Sequence, residues 1–197
     1  MDTQNKPKKW HLSVFEYVEL FVFTLAAVIL MLTFVVRVCA VGGNSMNNTL
    51  HDAEKVLVSN LFYTPKQGDI IVFHETDDRE NGFNKPIVKR VIATEGQFVR
   101  IDYANAKIYV SDDNQFTEDE VLDESTYLDA SMRSSWKQTL YLREYFEVPE
   151  GHLFVMGDNR NESTDSRNIL IGMVDSRLII GKVLYVIYPL NEFHKVQ

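Results

Sequence analysis

The chain has 197 residues, enough for one ordinary domain or a small domain plus an anchor, and its 45% hydrophobic and 24% charged residues exclude a chain disordered throughout. A formal net charge of -8, from 20 Lys+Arg against 28 Asp+Glu, argues against nucleic acid as a main partner. The single cysteine, Cys39, excludes an intramolecular disulfide framework and any cysteine-based metal site.

In chain order, the first element is apolar. Leu20 to Val36 are 17 residues without a charge, and if Arg37 snorkels the stretch reaches Val41, giving 22 residues. At ~1.5 Å per residue that is ~33 Å, enough for the ~30 Å hydrocarbon layer of a bilayer. The expectation is a single transmembrane helix over 15–41 with a cytoplasmic tail at 1–14. Lys6, Lys8 and Lys9 precede the run, whereas residues 38–54 hold no Lys or Arg, so the positive-inside rule keeps the N-terminus in the cytoplasm and sends 42–197 outside. A cleavable signal peptide ending at Val38-Cys39-Ala40 is the competing reading. Against it stand the length of the apolar run and the acids Glu16 and Glu19.

Past residue 41 the pattern changes to short runs of Val, Ile, Phe and Tyr bounded by Gly, Pro, Asn and Asp, which are strand signals. Strands are expected at Lys55–Phe62, Asp69–His74, Ile87–Thr94, Gln97–Asp102, Lys107–Val110, His152–Met156 and Leu178–Tyr188, with a hairpin tip at Ala104-Asn105-Ala106. The fold class is mostly β: a single N-terminal transmembrane helix followed by a β-sheet domain. Residues 112–150 interrupt it with eleven acids against three bases, the whole charge deficit, and read as a small acidic inserted subdomain projecting into solvent away from anionic lipid.

Polar elements stand out against this background. Gly42-Gly43-Asn44-Ser45-Met46 directly follows the apolar run; Asn47 and Asn48 exclude for Ser45 both the α/β-hydrolase elbow and the S-x-x-K pattern. Val88-Lys89-Arg90-Val91-Ile92 places a charged pair inside a β-branched strand, where period 2 sends one side chain toward the apolar side or a cleft. Gly157 to Arg167 interleaves Asp158, Arg160, Asp165 and Arg167 with Asn and Ser, as expected of a partly buried network of carboxylate–guanidinium pairs. A histidine-dependent serine protease would need His51, His74, His152 or His194 as base, and an anchored non-enzymatic module is a further alternative.

Together these elements, in this order behind one anchor, resemble the bacterial type I signal peptidases. Gly43 to Leu50 resembles their nucleophile box, Gly68 to Phe73 a core strand, Lys89 to Ile92 the general-base box, and Gly157 to Arg167 the long Gly-Asp-Asn-Arg box. The resemblance implies a membrane-anchored serine endopeptidase of the bacterial cell membrane with Ser45 as nucleophile, neutral Lys89 as general base, Ser163 orienting the lysine, and Asp158, Asp165 and Arg167 bracing the site. It implies no cofactor and no metal. Its implied partners are the lipid bilayer and exported preproteins carrying small residues at the first and third positions before the cut. Burial would be needed to lower the lysine pKa from ~10.4. Two positions depart from the family pattern. Asn48 stands where proline is usual, and Gly43 stands where some members carry a serine that helps the oxyanion hole, leaving the donor besides the Ser45 backbone N–H unassigned.

Overall fold

Apolar residues unbroken by glycine or proline form one helix, α1 (Trp10–Val35). The computed structural model describes residues 10–74, 85–134, 136–137, 143–169 and 171–196, in two units, Met1–Arg37 and Val38–Gln197. In the first unit the described α1 side chains from Val14 to Leu30 are all exposed. Thr24 and Thr33 donate their hydroxyls to the carbonyls one turn back, Leu20 and Ile29, at 2.7 Å, so neither needs water. Among the described residues no helix is long and apolar enough to cross a membrane. The longest unbroken described stretch of α1 side chains, 14–30, includes Glu16 and Glu19.

The apolar continuation expected to stay helical to Val41 is instead a strand, β1 (Val36–Ala40). Hydrophobicity alone does not choose between the two states. Alternating β-branched residues suit a strand, and the chain is zipped onto the next segment by Val41 N to Glu54 O (2.8 Å) and Ala53 N to Val41 O (3.0 Å). The boundary between units falls after Arg37, so β1 leads directly into the second.

That unit is built on an antiparallel sheet. Its strands are β2 (Lys55–Ser59), β3 (Ile70–His74), β4 (Pro86–Ala93), β8 (His152–Met156), β9 (Val174–Asp175) and β10 (Ile179–Tyr188), in the order β1-β2-β10-β3-β4-β8-β9, with β11 (His194–Lys195) on β10. A second sheet, β6-β5-β7, comprises β5 (Phe98–Asp102), β6 (Lys107–Ser111) and β7 (Tyr145–Glu147). Period 2 explains the two-sided core. Ile70 and Val72 pack with Met46, Leu50, Val56 and Val183 on one side, while Ile71 and Phe73 pack with Val91, Val155 and Val174 on the other. The tip at Ala104–Ala106 closes the β5–β6 hairpin, whose last pair is Asp102 with Lys107.

The acidic segment does not simply project into solvent. β7 pairs with β5, Tyr109 bridges Val121, and Leu128, Trp136, Phe146 and Val148 are buried in the core shared with Ile92, Ile101 and Phe154. Its few apolar residues turn inward while most of its acids stay outside, an arrangement that net charge conceals.

Strands β2 and β10 meet closely at Gly181. A Cβ there would stand 2.6 Å from the Ser59 carbonyl oxygen and 2.9 Å from Val58 Cγ1. Gly181→Ala should therefore push the strands apart and cost about 1–3 kcal/mol. Urea melts of the detergent-solubilised variant and parent check this; identical midpoints would mean the ladder yields freely.

Candidate active site

Ser45 lies on a tight turn between β1 and β2. Asn47 N bonds Asn44 O at 3.1 Å, Leu50 N bonds Met46 O at 2.8 Å, and the side chains of Met46 and Leu50 pin the turn into the core. Asn48 has φ +86°, which proline, fixed near −65°, cannot adopt. The departure at this position thus accompanies a backbone that excludes the usual residue.

Lys89 arrives from the middle of β4, opposite Ile71, while its neighbour Arg90 pairs with Ile70 and points to the other face. Both are buried, at 3% and 1% exposure. Lys89 Nζ stands 2.6 Å from Ser45 Oγ and 3.0 Å from its neighbour's carbonyl, Val88 O. Burial pulls the lysine pKa down to about 8; Asp165 and Asp158 oppose this by favouring its charge, and Arg167 assists it.

The loop after β8 carries the buried pairs. Asp158 receives Arg90 Nε at 2.9 Å and Nη2 at 2.8 Å, and also the Thr49 hydroxyl. Asp165 receives Arg167 Nε at 2.8 Å and Nη2 at 2.9 Å, together with Gly157 N at 3.0 Å. Arg167 and the other bonds hold Asp165 below the ordinary carboxylate range despite its burial. Asn159 clamps the serine turn, its N–H on Ser45 O at 3.0 Å and its Nδ2 on Asn44 O at 3.1 Å.

The structure thus brings Ser45, Lys89, Asp158, Asp165 and Arg167 together. It places Ser163 close by but gives it no bond to Lys89, whose two bonds go to Ser45 and Val88. A Cβ on Gly157 would lie 2.3 Å from Ser163 Oγ and 2.4 Å from Ser45 O, so this backbone is wedged between the two serines. Sequence reasoning missed Arg90 as the partner of Asp158, Asn159 as the clamp, and a third buried pair, Arg160 with Glu124. Arg90 carried a signal, a second charge inside an apolar strand; Glu124 carried none.

A cleft of about 230 Å³ opens beside Ser45 and Lys89, walled by Ala40, Val41, Val56, Val72 and Val88. His51, His74, His152 and His194 do not line it. Among the described residues no group of acids, histidines and cysteine could hold a metal ion.

The family model "Signal peptidase, peptidase S26" matches residues 14–188. The chain belongs to this family of signal peptidases. It is a serine protease. It is 32% identical to signal peptidase I of Bacillus licheniformis over 98% of each chain, and 32% identical to signal peptidase IB of Staphylococcus aureus strain Mu50 over 81% of this chain and 82% of that one. The solved signal peptidase I of Enterococcus faecalis V583 aligns with a TM-score of 0.45 at 28% identity, over 61% of this chain and 97% of that one.

Within this peptidase the Arg167–Asp165 pair is shielded from water, so Arg167→Ala leaves a buried carboxylate uncompensated and should cost about 3–5 kcal/mol, against about 0–1 for an exposed pair. Arg177→Ala, which breaks an exposed pair with Asp175, is the control and should leave the melting temperature unchanged. Equal melting curves for the two variants would show that the inner pair contributes no more than the outer one.

Proposed function

We propose that the protein is a type I signal peptidase, anchored in the bacterial cell membrane by α1, that removes signal peptides from exported preproteins with Ser45 as nucleophile and neutral Lys89 as general base. The observation that carries this reading is the 2.6 Å approach of a buried lysine amine to Ser45 Oγ. Serine is a weak nucleophile until a neighbour takes its proton, and lysine can do so only uncharged. With a pKa of about 8, about a tenth of Lys89 is neutral at pH 7, against fewer than about one in a thousand at an unperturbed value near 10.4.

The steps follow from this arrangement. Lys89 takes the Ser45 hydroxyl proton as Oγ attacks the carbonyl carbon before the cut. The resulting oxyanion is met by the Ser45 N–H. Collapse breaks the C–N bond, the protonated lysine returns its proton to the departing amine, and an ester remains on Ser45. A water deprotonated by Lys89 then attacks the ester carbon, the bond to Ser45 Oγ breaks, and the lysine returns the proton to Oγ as the signal peptide leaves. Ser163, Asp158, Asp165 and Arg167 hold the frame. The valine and alanine walls favour small side chains at the first and third positions before the cut. For the anchor, the support is the apolar composition of α1, the internally bonded threonines and the lysines that precede it.

Ser45→Ala should abolish precursor cleavage without unfolding the protein. Wild-type kcat/KM should rise with pH, pass half its maximum near pH 8 and level off above that, because deprotonation of Lys89 creates the active form. Lys89→Arg keeps a permanent charge and should be inactive throughout. Incubation with a precursor bearing an Ala-x-Ala site, followed by product masses, measures all three; an active Lys89→Arg enzyme would falsify the base assignment.

Deleting 1–35 should release the protein from carbonate-washed membranes with activity retained in detergent. Deleting 1–41 should abolish activity, since it removes β1 and the cleft residues Cys39 to Val41. An active 1–41 deletion would show that the strand is dispensable.

A further inference from the structure

Glu124 comes from the acidic segment and yet is only 5% exposed. Its carboxylate takes both ends of the Arg160 fork, with Nη1 to Oε2 at 2.8 Å and Nη2 on Oε1, and accepts the Tyr127 hydroxyl at 2.7 Å. Tyr127 in turn stacks on Arg90, whose guanidinium carbon lies 3.8 Å from the ring centre. Arg160, packed against Trp136, gives its Nε–H to Gly157 O at 3.0 Å, and its own carbonyl accepts Arg167 Nη2 at 2.8 Å. The Gly157 peptide is therefore held at both ends, its N–H by Asp165 and its carbonyl by Arg160. Ser45 O packs directly against it.

We propose that Glu124 is a positioning residue for the peptidase reaction, which through Arg160 fixes the Gly157 peptide against Ser45 and keeps the Arg160 charge from competing for the aspartates that face Lys89. The acidic segment is in this view a strut of the active site. The inference rests on the assignment of Ser45 and Lys89 made above.

The charged and titratable groups that bear on the two ends are few. Lys89 is faced by Asp165, Asp158 and Arg167, and Arg160 by Glu124, Tyr127 and Asp158. Losing the Glu124 charge frees Arg160 to draw on Asp158, which at present favours the charged lysine. The Lys89 amine then loses its proton more readily, and the limb of the pH profile moves to lower pH. At the same time the Gly157 carbonyl loses its anchor and Ser45 its register. The cleft walls at Ala40, Val41, Val56, Val72 and Val88 are not part of this chain of contacts, so substrate binding should be spared.

The test uses the full-length enzyme in detergent and a precursor with an Ala-x-Ala site. Glu124→Gln should lower kcat at least tenfold with KM within about twofold, and shift the limb below that of wild type. Glu124→Asp, which keeps the charge, should recover most of the lost kcat. If Glu124→Gln does not fold, the Glu124→Met/Arg160→Met pair removes both charges together, a replacement that buried ion pairs tolerate, and should fold with the same loss of kcat. A folded variant of either kind with wild-type kcat and an unmoved limb overturns the inference, as does failure of both to fold, which would make the pair structural only. Lys89→Arg assayed alongside separates the two levels: an active arginine enzyme refutes the dyad, whereas an inactive one beside an unaffected Glu124→Gln refutes the strut alone.

Discussion

Lys89 is placed among carboxylates that favour its charge, whereas the base role proposed for it needs the neutral amine. Burial alone would push its pKa far down, and bare aspartates would push it back up. Asp158 is paired with Arg90 and Asp165 with Arg167, so each carboxylate facing the lysine also faces a guanidinium of its own. Burial prevails over the two aspartates, and the lysine pKa is lowered to about 8. The rest of the second unit serves this balance: β3 and β4 deliver Lys89 and Arg90 to opposite faces, and the loop after β8 delivers the two aspartates.

Such buried pairs contribute little net stability, because desolvating both charges offsets most of their attraction. Their presence is better understood as specification. A bidentate guanidinium–carboxylate contact has one good geometry, and an apolar substitute would have many. Fixing Asp158 through Arg90 also fixes Thr49 on the serine turn, so Ser45 and Lys89 are referred to the same rigid frame.

The sequence made the large features legible and the small ones not. Strands β3 to β6, β8 and β10 lie close to their expected limits because each carries enough alternating residues to show a period, whereas β2 ends at Ser59, three residues before the expected Phe62. β7, β9 and β11 are two or three residues long, too short for any period, and exist because a neighbouring strand pairs with them. β1 was hidden in the apolar run, since local hydrophobicity does not separate the end of a helix from the start of a strand. At the site, Ser45 and Lys89 stood out through their boxes and resemblance, and Asp165 and Arg167 through their interleaving. Glu124 was one of eleven acids in 112–150 and nothing local set it apart; only the tertiary fold brings it under Arg160.

Gly157 is where these constraints converge on the backbone. Its N–H binds Asp165, its carbonyl binds Arg160, and its α-carbon stands so close to Ser45 O and Ser163 Oγ that no side chain fits. The Ser45 carbonyl cannot give way, because Asn159 N holds it from the next turn of the same loop. A shift of a few tenths of an ångström in this backbone is therefore passed to Ser45 rather than absorbed by a rotamer. Side-chain networks elsewhere in a protein can relax around a perturbation; one that grips a glycine backbone wedged against Ser45 has little room to, and three arginines, two aspartates and a glutamate are committed to it in the interior beside so small a cleft.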